Sequence, residues 1–182
     1  MDYSSKTYQS KSSQSILIRE ASPEDANQLL RLKLQYIKNT DTLPLFGYEY
    51  PNDEGEEKEL IQSYQNQNNS LLLVAENNGV LIGNIDLTGS WRKKIQHTAV
   101  LGMGIHTQWQ NQGIGTILIQ NVLDWAKQNK LLRIIWLEVY TTNMSGIALY
   151  RKMGFRESGK IKGFFLEKNK FIDKIIMTTS VY

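Results

Sequence analysis

The stretch from residue 97 to residue 130 constrains this chain more than any other. Residues 97–106 form an apolar run that reads as a strand. The run leads into Gln110-Asn111-Gln112-Gly113-Ile114-Gly115, after which Ile114, Ile117, Leu118, Val122, Trp125 and Ala126 recur at helical spacing up to about Lys130. A second strand-like run, residues 133–140 (RIIWLEVY), follows that helix. A helix joining two strands of one sheet makes them parallel, through a right-handed crossover. The chain must therefore build an α/β layer structure around this unit.

The other segments complete a mixed sheet with helices on its faces. Residues 16–19 (ILIR) are a short β-type run. Ser22-Pro23-Glu24-Asp25 has the form of a helix start, with Ser22 as N-cap and Pro23 at the first helical position. Ala26, Leu29, Leu30, Lys33, Leu34 and Ile37 then follow a helical period, with Lys33 the one polar member, and the helix should end near Asn39. A loop over residues 40–53 carries Pro44, Phe46, Gly47, Tyr48, Tyr50 and Pro51; its aromatics either pack beneath it or line a pocket. A second helix spans about residues 54–67. Residues 70–76 and 80–87 flank Asn77-Asn78-Gly79, which predicts a β-hairpin. A short helix over 145–153 closes at Gly154, and a last hairpin pairs residues 161–167 with 170–179. Residues 1–14, rich in Ser, Lys, Gln and Tyr, read as a flexible tail ahead of one domain spanning 15–182.

Composition removes several function classes. There is no cysteine, so a disulfide framework, a thiolate metal site and an acyl-cysteine intermediate are all excluded. His97 and His106 alone do not make a metal cluster, and no metal is expected. The net charge of +3 is too small and too scattered to indicate a nucleic-acid partner. Arg92-Lys93-Lys94 beside Trp91 is either a solvated loop or a cationic loop that steers an anion. No apolar run approaches the ~20 residues of a membrane helix, and residues 1–14 lack a secretory apolar stretch, so a cytoplasmic location is expected by default. A homodimer is left open.

The turn into the helix at residue 114 has chemistry of its own. The first amides of a helix lack internal partners and carry partial positive charge, so a strand, a glycine turn and a helix together make an anion site. Gly113 and Gly115 remove side chains that would keep a phosphate from the backbone, while Asn111, Gln112 and Thr116 add polar donors. The alternative is a tight turn without a ligand. Leu118 stands where a dinucleotide fingerprint needs its third glycine, and no Gly-Lys-Ser/Thr follows.

A second motif lies about thirty residues on: Asn143, then Leu149-Tyr150, then Gly154-Phe155. With Gln110, Gly113 and Gly115, it resembles the paired motifs of the GNAT N-acetyltransferase family. Ile18-Arg19-Glu20-Ala21 with Asp25-Ala26 is similar to that family's opening strand and helix. The resemblance covers about residues 16–179. It implies a GNAT acyl-CoA N-acyltransferase fold, a central mixed sheet splayed between its fourth and fifth strands, counting from residue 16.

The resemblance also implies chemistry. The donor would be acetyl-CoA, its pantetheine arm lying beside Met103, Gly104 and Ile105 and its pyrophosphate on the loop from Asn111 through Gln112, Gly113, Ile114 and Gly115 to Thr116. Asn143 would bond the pantetheine region, and Tyr150 would protonate the departing thiolate; the alternative for Tyr150 is ordinary packing. An alkylamine, with a pKa of ~10, must lose a proton before it attacks. Glu138, inside Trp136-Leu137-Glu138-Val139-Tyr140, is the leading base, since burial in an apolar strand would raise its pKa; the alternative is a structural carboxylate. Many relatives carry a glutamate on the fourth strand near Ala99 or Val100, and this chain has none there. Asp173 is a lesser candidate for holding a cationic amine. The expected activity is direct acetyl transfer to a primary amine of a small molecule. Acetylation of a protein N-terminus or lysine is the runner-up. A non-catalytic acyl-CoA-binding regulatory domain is the reading from another class.

Overall fold

The computed structural model describes residues 3–182; Met1 and Asp2, which the tail expectation includes, lie outside the described residues. In chain order the elements are β1 (Lys6–Gln9), β2 (Ser15–Glu20), α1 (Ala26–Lys38), α2 (Glu54–Gln65), β3 (Leu71–Asn77), β4 (Val80–Gly89), β5 (Thr98–Ile105), α3 (Ile114–Gln128), β6 (Ile134–Tyr140), α4 (Met144–Lys152), β7 (Arg156–Glu167) and β8 (Lys170–Ser180). The strands form one eight-stranded sheet in the order β1-β2-β3-β4-β5-β6-β8-β7. Its pairs are antiparallel except β5 with β6, which α3 connects.

Each face of the sheet has its own core. Ile85, Leu87, Leu101, Leu137 and Met177 pack against Leu118, Val122 and Trp125 of α3 and Ile147 of α4. Leu72, Val74 and Leu81 pack on the other face against Leu29 and Leu32 of α1 and Ile61 of α2. The alternation along β4 allocates its residues accordingly. Ile85 and Leu87 serve the α3 face, so Asn84, Asp86 and Thr88 point to the α1/α2 face.

The expected hairpin at residues 77–80 is present, with Asn78 and Gly79 at φ of 49° and 80°, as a tight hairpin turn requires. The expected helix at Ser22 divides into a short 3-10 turn, Pro23–Asp25, and then α1. The Asp25 carboxylate accepts the Ser22 amide at 2.8 Å and two Arg19 hydrogen bonds at 2.6 and 2.8 Å, pinning this junction to β2. The last hairpin is longer than expected, because β7 begins at Arg156.

The reading of residues 1–14 as a flexible tail is corrected. Lys6–Gln9 pairs with β2 and forms one edge of the sheet. Its polar side chains carry no apolar alternation, but its backbone completes a ladder. The hydroxyls of Tyr3 and Tyr8 both donate to the buried Asn121 Oδ1, at 2.6 and 2.9 Å. That long-range pairing leaves no local signal.

Among the described residues, no helix is long and apolar enough to cross a membrane.

Candidate active site

β5 and β6 pair through only three residues each, Thr98–Val100 against Ile134–Trp136. Beyond that point they separate, while residues 101–105 remain paired to β4 on their other side. The splay expected between these strands is therefore present. A cleft of about 690 Å³ runs along it, from Lys11 and Asn111 at one end past Gly102 and Gly104 to Tyr36 and Leu43.

The turn into α3 forms one end of the cleft. Asn111 and Gly113 both take positive φ, 62° and 87°, so successive amides can face one side, and Gly113 is the left-handed N-cap of α3. A Cβ on Gly115 would lie 2.8 Å from Leu149 Cδ2, with Ile105 and Met103 side chains just beyond it. Glycine here lets α3, α4 and β5 converge. This is a cradle for an anionic group attached to an extended arm, and it fits acetyl-CoA: amides for phosphate at α3, and an open strand edge along Met103, Gly104 and Ile105 for an amide-bearing chain.

The expected donor-site residues fall at different depths. Gln110 and Asn111 are exposed at the rim, and Gln110 Nε2 donates to the Ile105 carbonyl at 3.4 Å. Ile114 turns its side chain into the core and offers backbone only. Thr116 lines the cleft; Gln112 does not line it, and its carbonyl accepts the Lys11 amide at 3.0 Å. Asn143 caps α4, its Oδ1 accepting the Gly146 amide at 2.9 Å, and its Nδ2 makes no hydrogen bond among the described residues.

Tyr150 lies on α4 in the cleft wall, its ring edge-on to Phe155 at 6.0 Å. Loss of water contact pushes its phenol up to about 12, so it holds its proton across the neutral range.

Glu138 also lines the cleft, but not in the state expected. Its side chain is 38% exposed, and Oε1 accepts from the buried Lys174 ammonium at 2.9 Å. The premise that an apolar strand would bury it fails, because β6 has parted from β5 where Glu138 stands. Lys174 also lies 3.4 Å from the Phe164 ring centroid. Asp173 is taken up within the β7–β8 hairpin by the Gly163 amide at 2.8 Å and by Lys160 at 2.9 Å, and these hold its carboxyl below the usual carboxylate range.

The loop over residues 40–53 divides its tasks. Thr40, Thr42 and Leu43 line the cleft. Phe46 and Tyr48 stack on each other at 5.4 Å and face solvent, while Tyr50 donates to Glu57 at 2.8 Å. The Tyr140 hydroxyl donates to the Leu43 carbonyl at 3.3 Å, and Tyr140 stacks on Phe165 at 3.7 Å. Lys168 meets Asp41 at 2.6 Å. These contacts tie the loop to β6 and to the β7–β8 hairpin.

Lys11, Tyr36 and Leu43 are cleft residues that the sequence does not reveal, since each arrives from a segment with no motif. The basic run 92–94 does not line the cleft; Arg92 lies over the Trp91 ring at 5.6 Å. Among the described residues, no group of His, Asp and Glu could hold a metal ion.

Comparison with known proteins agrees with this geometry. The model of the acetyltransferase (GNAT) family matches residues 37–155. The chain belongs to that family. It is 26% identical over 105 residues to the L-amino acid N-acetyltransferase AaaT of Escherichia coli, a match covering 58% of this chain and 65% of that protein. It is 30% identical over 91 residues to the N-alpha-acetyltransferase RimI of Mycobacterium tuberculosis, covering 50% and 55%. The matched stretches thus span less than two thirds of these curated relatives. Among solved structures, a GNAT-family acetyltransferase from Streptococcus pneumoniae superposes with a TM-score of 0.88 at 29% identity, over 92% of this chain and 99% of that one. A phosphinothricin acetyltransferase from Sinorhizobium meliloti, in complex with acetyl-CoA, shares the fold with a TM-score of 0.80 at 19% identity, over 90% and 86%.

Proposed function

We propose that this protein transfers the acetyl group of acetyl-CoA directly to the primary amine of a small molecule. Bound acetyl-CoA supplies an activated thioester. The amides at the start of α3, with Asn111, Thr116 and Lys11, hold its pyrophosphate. The free edge of β5 at Met103, Gly104 and Ile105, together with Asn143 Nδ2, aligns the pantetheine arm. Tyr150, protonated and poised in the cleft wall, gives its proton to the leaving sulfur. Glu138 lies on the acceptor side of Tyr150, and its carboxylate, shared with Lys174, attracts a cationic amine.

The observation that favours a small acceptor is the strap across the cleft. Tyr140 and the β7–β8 hairpin reach the 40–43 segment through the Leu43 carbonyl and Asp41. A peptide needs a groove that continues past the reacting atom; a strap at that end leaves room for a compact amine. The competing reading is acetylation of a protein N-terminus, the activity in RimI's name. A purely regulatory acyl-CoA-binding role has no use for a protonated tyrosine in the cleft.

The test is an acetyl-CoA turnover screen over amino acids, polyamines, aminoglycosides and N-terminal peptides, read by mass of the product. Small amines should be acetylated with the higher kcat/KM. A peptide preferred over every small amine would replace the small-molecule reading with the protein one.

A further inference from the structure

β5 carries no acid between Thr98 and Ile105, and the Glu138 carboxylate is engaged by Lys174. A further carboxylate lies against the β5 wall from the neighbouring strand. Asp86 on β4 stands directly opposite Gly102 in the β4–β5 register. A Cβ built on Gly102 would lie 2.7 Å from Asp86 Oδ1. A side chain at position 102 would thus cover the carboxylate, and glycine leaves it open where Gly102 lines the cleft.

The two carboxylate oxygens are in different states. Oδ2 accepts from the Thr88 hydroxyl at 3.1 Å and the Tyr64 hydroxyl at 3.2 Å. Oδ1 takes no hydrogen bond among the described residues, yet it is not among the sealed, unpartnered polar atoms. Asp86 itself does not line the cleft, so an amine would meet this oxygen only past Gly102, beside the Tyr36 ring. That ring lies over Gly104, where a Cβ would come within 2.1 Å of it.

We propose that Asp86, reached past Gly102, is the base that takes the proton from the acceptor amine. This rests on the acetyl-transfer reading above. The amine nitrogen forms a bond to the acetyl carbon as the carbon–sulfur bond breaks. Asp86 Oδ1 takes one proton from the ammonium before attack, the adduct nitrogen loses its second proton to solvent, Tyr150 gives one proton to sulfur, and exchange with solvent restores both side chains. Lys33 and Tyr36 of α1 and Tyr64 of α2 are the titratable groups facing Asp86, and Glu57 of α2 acts on both tyrosines. Burial moves the Asp86 carboxyl above the usual carboxylate range, against the opposing pull of Thr88, Lys33 and Tyr64, which makes it a better proton acceptor.

The experiment compares wild type, Asp86→Asn, Glu138→Gln and Tyr64→Phe with acetyl-CoA. The two nucleophiles are a primary alkylamine taken from the screen and hydroxylamine, which is already unprotonated at neutral pH. Asp86→Asn should slow the alkylamine by about 100-fold or more at neutral pH. The deficit should narrow as pH approaches the amine's own pKa of ~10. With hydroxylamine it should shrink to a few-fold. A loss equal at every pH and for both nucleophiles, or no loss, overturns the assignment. Should Asp86→Asn not fold, Tyr64→Phe decides. It removes a hydrogen bond to the charged form, so the acidic limb of kcat/KM must move to higher pH; a limb that stays put overturns the proposal. So does a limb abolished by Glu138→Gln alone. Wild-type protein that acetylates neither nucleophile would instead sink the acetyl-transfer reading itself.

Discussion

Tyr150 shows what one buried phenol contributes. In the reading proposed above it acts only as the reaction proceeds, so Tyr150→Phe should reduce kcat by about 100-fold or more while the Kd for acetyl-CoA stays within a few-fold. An unchanged kcat in stopped-flow turnover would remove it as the acid. The same burial has a stability signature. The folded phenol titrates near 12 and the ordinary one near 10, so its contribution to stability is intact below pH ~10 and is lost as pH rises through 12. The residue was legible in the sequence because Asn143, Leu149-Tyr150 and Gly154-Phe155 form a local pattern. Asp86 was not, because its place against the β5 wall depends on Gly102 across a strand pairing that no local pattern encodes. Glu138 was misjudged for a related reason: apolar neighbours in sequence imply burial only if the next strand stays paired, and here it departs.

At the scale of elements, β5 is built to be approached. Gly104 accommodates the Tyr36 ring on one face, and an added methyl would meet ring atoms at 2.1 and 2.2 Å. Gly104→Ala should cost roughly 1–3 kcal/mol, measured by urea unfolding, as α1 is forced off the sheet. Gly115→Ala meets the flexible end of Leu149 at 2.8 Å, so it should cost less stability but weaken acetyl-CoA binding by narrowing the cradle. If both variants unfolded at the same urea concentration, rigid contact at Gly104 would be the wrong account. Most elements were readable from period and turn chemistry: the Asn-Gly hairpin, the stripe of α3 and the apolar run of β6. The strand β1 was not. Polar edge strands are specified by their partner: Lys6 pairs with Ile18 and Gln9 with Ser15 through backbone bonds that the polar side chains do not signal.

Across the molecule, α1, α2 and the 40–53 loop are joined by one buried charge cluster. Lys33 donates to Glu57 at 2.7 Å and to the Tyr50 hydroxyl at 3.0 Å. Both charged residues are less than a tenth exposed. Lys33 stood out in the sequence as the polar member of an apolar stripe, but its partner lies on another helix and could not be named. Lys33→Met leaves a buried carboxylate without its cation, held only by the Tyr50 hydroxyl, which should cost about 3–5 kcal/mol. The double variant Lys33→Met, Glu57→Leu should recover most of that in thermal unfolding. A double variant no better than the single one would mean that the loop, rather than the charge, dominates.

The short β5–β6 junction has one more consequence. Three pairs of residues join a five-stranded half-sheet to a three-stranded one, and below them two strand edges face each other across the cleft. A ligand seated there is a rivet in an unfinished ladder, and it should raise the unfolding temperature in proportion to the logarithm of its concentration above Kd. Substitutions that zipped the seam shut would make the empty protein sturdier and leave the donor nowhere to lie. Robustness and turnover compete here for the same backbone groups, so selection for heat tolerance alone should close the seam and erode activity.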